Sequence, residues 1–238
     1  MKGNEIMYNT ERREQILNIL EKKKSVSVAE LANTLYVSAP TMRRDLDLLE
    51  KEGKVQRTHG GVLLRRSQDS EIPLFMRQEQ NNLSKADIAK KAVQYVKNGD
   101  VIFMDASSTV CYLVPLLKNL EELTVITNSP KTSVLLGEAG IKNYCTGGLL
   151  LRHSIAYVGS DAERFIVGFN ADVFFFSSRG ITEDGKICDS SESEASIRKV
   201  MLKNADRSYY LADSSKKGKK YPFNICSLQD IEGLISDN

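Results

Sequence analysis

No stretch of this chain approaches the ~18 consecutive apolar residues that a membrane-spanning helix needs. The opening MKGNEIMYNTERREQ also has no apolar segment of the kind that directs secretion. A cytoplasmic protein without membrane contact is therefore expected. Cysteine and histidine are scarce: Cys111, Cys145, Cys188 and Cys226 stand far apart, form no C-x-x-C pair, and have only His59 and His153 to help them. That spacing argues against a zinc site and a disulfide framework alike, and predicts buried, reduced thiols with no bound metal or cofactor. Internal repeats and low-complexity tracts are missing as well.

What is present is the composition of a folded protein, 41% hydrophobic and 27% charged over 238 residues. That length suits one large domain or two unequal ones. The net charge of +2 hides an asymmetry. Residues 1–66 hold 13 Lys+Arg against 9 Asp+Glu, leaving 20 against 22 for the remainder. A basic head on a mildly acidic body suits a nucleic-acid-binding module joined to something else, although a solvated basic face alone is commoner than a DNA-binding one.

The head reads as three helices and a hairpin. TERREQILNILE places Ile16, Ile19 and Leu20 on one face. Ser25 or Ser27 opens a short helix carrying Leu31 and Leu35. Ser38 is placed to cap SAPTMRRDLDLLEKEG, with Pro40 in the first turn, where no donor is lost, and Gly53 at the stop. Met42, Leu46 and Leu49 make its core face and leave Thr41, Arg43, Arg44 and Asp47 elsewhere. KVQRTHGGVLLRR then reads as two strands around His59-Gly60-Gly61. This order describes a winged helix-turn-helix, in which the second helix of the motif enters the major groove and the wing adds cationic contacts from Lys54, Arg57 and His59.

VSVAELANTLYVSAPTMRRDLDLLEKEGKVQRTHGGVLL closely resembles the N-terminal module of the DeoR family of bacterial sugar-operon regulators. The match runs through Val37, Ser38, Thr41 to Leu46, Gly53, Arg57, His59, Gly60 and Gly61. The resemblance implies DNA-facing roles for Ser38, Thr41, Arg43 and Arg44, and a role for Asp45 in orienting a neighbouring arginine. Residues 1–66 are expected to be the DNA-binding domain and 67–83, polar and containing Pro73, a linker.

From residue 84, where Ser84 is expected to cap a helix, strands and helices alternate. VIFMD, LTVITN, IKNYCTGG, ADVFFFSS and RSYYLADSS read as short buried strands, with helices near 107–119, 130–138, 159–168 and 190–203. That alternation predicts an α/β domain with a mostly parallel sheet, whose ligands bind at the carboxyl ends of the strands. Those ends are polar: Asp105 with Ser107, Ser108 and Thr109; Thr127-Asn128; Gly147-Gly148; Ser177-Ser178-Arg179; and Asp213 to Lys216. Ser, Asn and Gly are also what ordinary loops are made of, and a Ser before a helix is also an ordinary N-cap.

This order is similar to the C-terminal domain of the same family, itself similar in fold to ribose-phosphate isomerases, sugar-phosphate deaminases and coenzyme A transferases. The family landmarks fall on Asp105 to Thr109, Thr127-Asn128, Gly147-Gly148, Gly159 to Ala162, Glu194 to Arg198-Lys199, and Asp213 to Lys216. The resemblance implies a sensor for a phosphorylated sugar over 84–238, with Asp105, Ser107, Ser108, Thr109, Asn128, Gly147, Gly148, Arg179 and Lys216 as effector-binding residues. It implies double-stranded operator DNA as partner, a homodimer or larger homo-oligomer, and repression as the mode of control. Ser107 departs from the family's usual glycine, Pro115 should kink or shorten the helix after it, and Arg179 faces either the pocket or solvent. The alternative is a sugar-phosphate isomerase or deaminase with an accessory DNA-binding head. Catalysis there needs a base beside a carbonyl, and SSRGITEDGK lacks an acid at the expected place, so no catalytic residue is assigned.

Overall fold

A computed structural model describes residues 9–23, 26–58, 61–64, 74 and 81–237. His59 and Gly60, at the tip of the expected wing, lie outside the described residues, as do 65 and 66 at the end of the expected head and 67–73 and 75–80 of the expected linker. The chain divides into two compact units, Met1–Ile72 and Pro73–Asn238.

The first unit holds helices α1 (Asn9–Lys22), α2 (Val28–Thr34) and α3 (Ala39–Lys51), then strands β1 (Val55–Thr58) and β2 (Gly61–Leu64). Side-chain caps set the helix starts. Ser27 Oγ accepts from Glu30 N at 3.1 Å and Ser38 Oγ from Thr41 N at 3.3 Å. Gly53 ends α3 at φ 70°, where a side chain would be strained. β1 and β2 pair antiparallel from Val55↔Leu64 to Thr58↔Gly61, and Val26 exchanges backbone bonds with Val62 at 3.1 and 2.7 Å. The entry to α2 is thereby tied to the wing. Ile16, Leu20, Leu31, Met42, Leu46, Leu49, Val55 and Val62 share one core.

One expectation is corrected here. Asp45 does not orient an arginine beside it on α3. It is 4% exposed and accepts from Arg12 Nε, 33 residues earlier on α1, at 2.6 Å. Helical spacing explains the difference: positions 42, 45, 46 and 49 fall on one face, so Asp45 turns inward with the core while Arg43 and Arg44 turn out.

The second unit is built on a parallel six-stranded sheet in the order β13-β11-β8-β3-β4-β5. Its strands are β3 (Val101–Met104), β4 (Thr124–Thr127), β5 (Lys142–Cys145), β8 (Ala171–Phe176), β11 (Ala205–Ala212) and β13 (Gly233–Ser236). Helix α4 (Asn82–Val93) precedes it and starts at Asn82, ahead of the expected Ser84 cap. β6 (Leu149–Leu151) and β7 (Ala156–Val158) form a hairpin; β9 (Gly180–Ile181), β10 (Lys186–Asp189) and β12 (Phe223–Ser227) form a small antiparallel sheet. The expected helix over 107–119 is split into single turns, α5 (Ser108–Cys111) and α6 (Val114–Leu117), with Pro115 at the start of the second.

Period-two alternation divides the core between the faces of the sheet. In β8, Val173 and Phe175 face Ile88, Leu113, Leu117 and Leu136, from α4, the α5–α6 stretch and α7 (Pro130–Glu138). Phe174 and Phe176 face Ala162 and Ile166 of α8 (Ser160–Val167), and Ile197 and Met201 of α9 (Glu192–Lys203). With both faces covered, only strand ends and edges of the sheet meet solvent. In the head, Leu46 is fully buried; Leu46→Ala should destabilise that unit by about 3 kcal/mol, read as a lower urea midpoint for loss of its helical signal.

Candidate nucleic-acid interface and effector site

The outward face of α3 carries Arg43 and Arg44, both exposed, with Thr41 half-buried one turn from the N-terminus. Ser38 and Thr41 share a hydroxyl–hydroxyl hydrogen bond of 2.9 Å, so the cap also fixes the direction of Thr41. The wing cations are partnered within the unit. Arg57 Nη1 lies 2.6 Å from Asp47 Oδ1, and Lys54 Nζ 2.8 Å from Glu52 Oε2. Exposed pairs of this kind contribute little stability. His59 lies outside the described residues.

In the second unit, strand order reverses between β3 and β8, the position beyond the strand ends at which open α/β sheets bind ligands. Asp105, one residue past β3, sits there and is 1% exposed. It accepts from Ser107 N at 3.1 Å, from Ser177 N at 3.2 Å and from Arg198 Nε at 2.7 Å. Arg198, on α9, also donates through Nη1 to Asp189 Oδ2 at 2.9 Å. Burial opposes the charge on this guanidinium, but the carboxylates of Asp105, Asp189 and Glu194 outweigh it and raise its pKa. Asp105 is thus a brace for two loops, with both of its carboxylate oxygens engaged by the chain itself.

Around this brace the other strand ends converge. Ser177 Oγ donates to Leu211 O at 2.5 Å and receives a hydrogen bond from the Lys216 ammonium. Lys216 follows β11 on a single turn opened by Asp213, whose side chain caps Ser215 N at 3.0 Å. Burial pulls the Lys216 pKa down to about 8, against the upward pull of Asp213 and Asp105. Ser178 Oγ meets the Tyr210 hydroxyl at 2.9 Å; burial raises the pKa of that phenol and keeps it a neutral hydrogen-bonding group. Asn128 ties β4 to the β6–β7 hairpin through Nδ2 to Tyr157 O at 2.9 Å. Its Oδ1, like Thr109 Oγ1, is buried with no hydrogen-bond partner among the described residues.

The remaining expected site residues take structural roles that the sequence left open. Ser107 has φ −77° and caps α5 by accepting from Val110 N at 3.2 Å, so the backbone here has no need of glycine. Because α5 is one turn long, it offers local N–H groups and little macrodipole. Gly147 and Gly148 have φ 66° and 105°, and a Cβ at Gly148 would stand 2.7 Å from Val158 O, so only glycine fits against the hairpin. Arg179 is half-buried with its Nη2 enclosed. Glu183 and Asp184, the acids nearest the position an isomerase would use, lie in the exposed turn between β9 and β10, Asp184 pairing with Lys186 at 2.9 Å.

Arg198 and Asp189 are the residues the sequence reading left without a role. The available signal was the spacing of Glu194 and Arg198, four apart on one helix face, both unusual for burial. Among the described residues no group of three or more His, Cys, Asp or Glu is placed to hold a metal ion, and no helix is long and apolar enough to cross a membrane.

A winged helix-turn-helix and an α/β unit with a polar carboxyl edge together define a DNA-binding transcriptional regulator. The chain belongs to the DeoR family: residues 12–68 match the DeoR-like helix-turn-helix domain and residues 80–238 the DeoR C terminal sensor domain. It is 39% identical to the HTH-type transcriptional regulator YulB of Bacillus subtilis, over 98% of this chain and 90% of that one. It is 34% identical to the L-fucose operon activator of Escherichia coli K12, over 95% and 94%, and 30% identical to a putative aga operon transcriptional repressor of E. coli O157:H7, over 96% and 86%. Among solved structures, eIF2B delta from Chaetomium thermophilum shares the fold with a TM-score of 0.51, 14% identity, and coverage of 97% of this chain and 72% of that one. Ribose 5-phosphate isomerase A from Methanocaldococcus jannaschii superposes with a TM-score of 0.45 at 21% identity, over 58% and 55%.

The Arg198 brace makes a stability prediction. Arg198→Met leaves the buried carboxylates of Asp105 and Asp189 without their shared cation, at a cost of about 3 kcal/mol or more. A lower urea midpoint for unfolding of the sensor unit checks this.

Proposed function

We propose that this regulator is a repressor of a carbohydrate operon, and that a phosphorylated sugar seated at the carboxyl edge of its sheet controls it. Residues 1–66 bind operator DNA, 67–83 connect, and 84–238 sense. The observation that carries the sensing half is the Lys216 ammonium, which reaches Ser177 Oγ beside the strand-order reversal; burial outweighs the pull of Asp213 and Asp105 there and brings its pKa down to about 8. An incoming phosphate adds counter-charge there, and the N–H groups of Ser108 and Thr109 add donors. Asn128 Oδ1 and Thr109 Oγ1 supply polar atoms for sugar hydroxyls. Arg179 adds a second cation at the rim. Asp105 does not contact the sugar in this reading; it holds the two loops that do.

Several relatives whose names refer to operons support the carbohydrate assignment, an activator of the L-fucose operon among them. Repression is the simpler requirement, because occupancy of a promoter suffices, whereas activation also demands a surface for polymerase. Effector binding shifts a two-state equilibrium only by its difference in affinity for the DNA-competent and incompetent arrangements. A homodimer or larger homo-oligomer places two heads on symmetric half-sites.

Two tests separate the halves. Arg43→Ala/Arg44→Ala should abolish operator binding and leave the unfolding of the sensor unchanged. In the parent, log affinity should fall linearly with log salt, and each phosphate that is no longer neutralised should flatten that slope by about 0.9; unaltered operator affinity in the double variant sinks the DNA assignment. For sensing, a thermal-shift screen of sugar phosphates should yield a ligand whose affinity holds up to about pH 8 and falls above it, as the Lys216 ammonium of the free protein loses its proton. Lys216→Ala should bind that ligand about tenfold more weakly or worse, lose the pH dependence, and bind operator normally without effector. A variant that responds like the parent removes Lys216 from the site.

A further inference from the structure

Tyr36 lies in the turn between α2 and α3, and neither backbone energetics nor packing favours a tyrosine there. α2 closes with Tyr36 N–H on Asn33 O at 3.3 Å and Val37 N–H on Ala32 O at 3.0 Å. That bond pattern puts one residue in the left-handed region, most often glycine. Tyr36 occupies it at φ 52°, and among the described residues it is the only aromatic of the four non-glycine residues at positive φ. At that φ a Cβ crowds the following carbonyl, a penalty glycine does not carry. Burial of the ring would offset the penalty, yet Tyr36 is 96% exposed, while Leu35 beside it is 7% exposed and packs in the head core. The side chain therefore does nothing for the fold and projects into solvent two residues before Ser38, the cap of the helix that presents Thr41, Arg43 and Arg44.

We propose that Tyr36 is a further DNA contact, its phenol hydroxyl donating to a backbone phosphate at the rim of the groove that α3 enters. In a helix-turn-helix the first residues of the second helix reach base edges. The turn before that helix stands back from the bases, at the level of the sugar–phosphate rail. Phosphate oxygens only accept hydrogen bonds, and a tyrosine hydroxyl is among the side-chain donors that reach them. The contact positions the head without reading sequence. Because the phenol is neutral, it adds affinity without displacing a counterion, unlike the arginines of α3.

A mixed-sequence duplex tests this, since a phosphate contact is independent of sequence. Full-length protein is titrated against a fluorescein-labelled duplex of about 30 base pairs at about 50 mM salt and above. Tyr36→Phe should weaken binding about tenfold and leave the slope of log affinity against log salt unchanged, whereas Arg43→Ala should flatten that slope by about 0.9. Tyr36→Gly should weaken binding equally while slowing amide hydrogen exchange across residues 31–49 by about fivefold, because it relieves the strained φ. A more stable head that binds DNA less well is an outcome a purely structural role does not produce. Parental affinity in either variant overturns the proposal, as does faster exchange in Tyr36→Gly, which would mean that the ring supports the fold. If Arg43→Ala changes neither affinity nor slope, α3 is not the DNA helix, and the proposal falls with that assignment.

Discussion

The sensor unit depends on one buried guanidinium. Arg198, 5% exposed, lies between Asp105 and Asp189, each 1% exposed, and the three together fix where α9, the end of β3 and the end of β10 stand relative to one another. Charges so placed lose their hydration, which costs several kcal/mol apiece unless each finds hydrogen-bonded partners. Here they do: Asp105 also takes the N–H groups of Ser107 and Ser177, and Asp189 that of Ser190 at 2.7 Å. The geometry is demanding, because a displaced loop would leave a buried charge short of a partner. That constraint turns a set of polar strand ends into a shaped edge.

The parallel sheet supplies the second part of the arrangement. Parallel neighbours in register, such as Met104↔Phe175 and Met104↔Thr127, end together, so the residues following them are delivered to the same edge. At the order reversal between β3 and β8 the loops at Asp105 and Ser177 are tied by a hydrogen bond, and the Lys216 ammonium arrives there from β11. A cation held there by a serine hydroxyl and two nearby carboxylates is placed to exchange part of its environment for an anion. In the head the same logic runs outward: Asp45 is consumed internally by Arg12, which leaves the exposed face of α3 free of its charge and the arginines facing solvent.

Much of this was legible in the chain. Caps at Ser27 and Ser38, the stop at Gly53, and the apolar spacing of Met42, Leu46 and Leu49 mark the head because each is a local effect, decided within a few residues. Alternating strands and helices announced the α/β unit, and the run ADVFFFSS announced a strand buried on both faces. Less legible were the residues whose roles are set by partners far away in sequence. Asp45 and Arg12 are 33 residues apart, Asp105 and Arg198 are 93. At Asp105 a sugar-binding role and a loop-bracing role both stayed open, because a lone carboxylate at a strand end has no visible partner until the sheet and α9 are in place.

The sequence by itself determined the elements of the head, five of the six strands of the parallel sheet, the class of protein and the polar character of the strand ends, because propensity, capping and periodicity act over one or two turns. Only the tertiary structure decided which of those polar residues are spent on holding the molecule together. It consumed Asp105, Asp189 and Arg198 in a buried ion triad and Ser107 in a cap, and it left Lys216, Thr109 and Asn128 with polar atoms toward the strand ends. The reason is that a buried charge must be matched by whatever group the fold brings within hydrogen-bonding reach, and sequence distance says nothing of that reach.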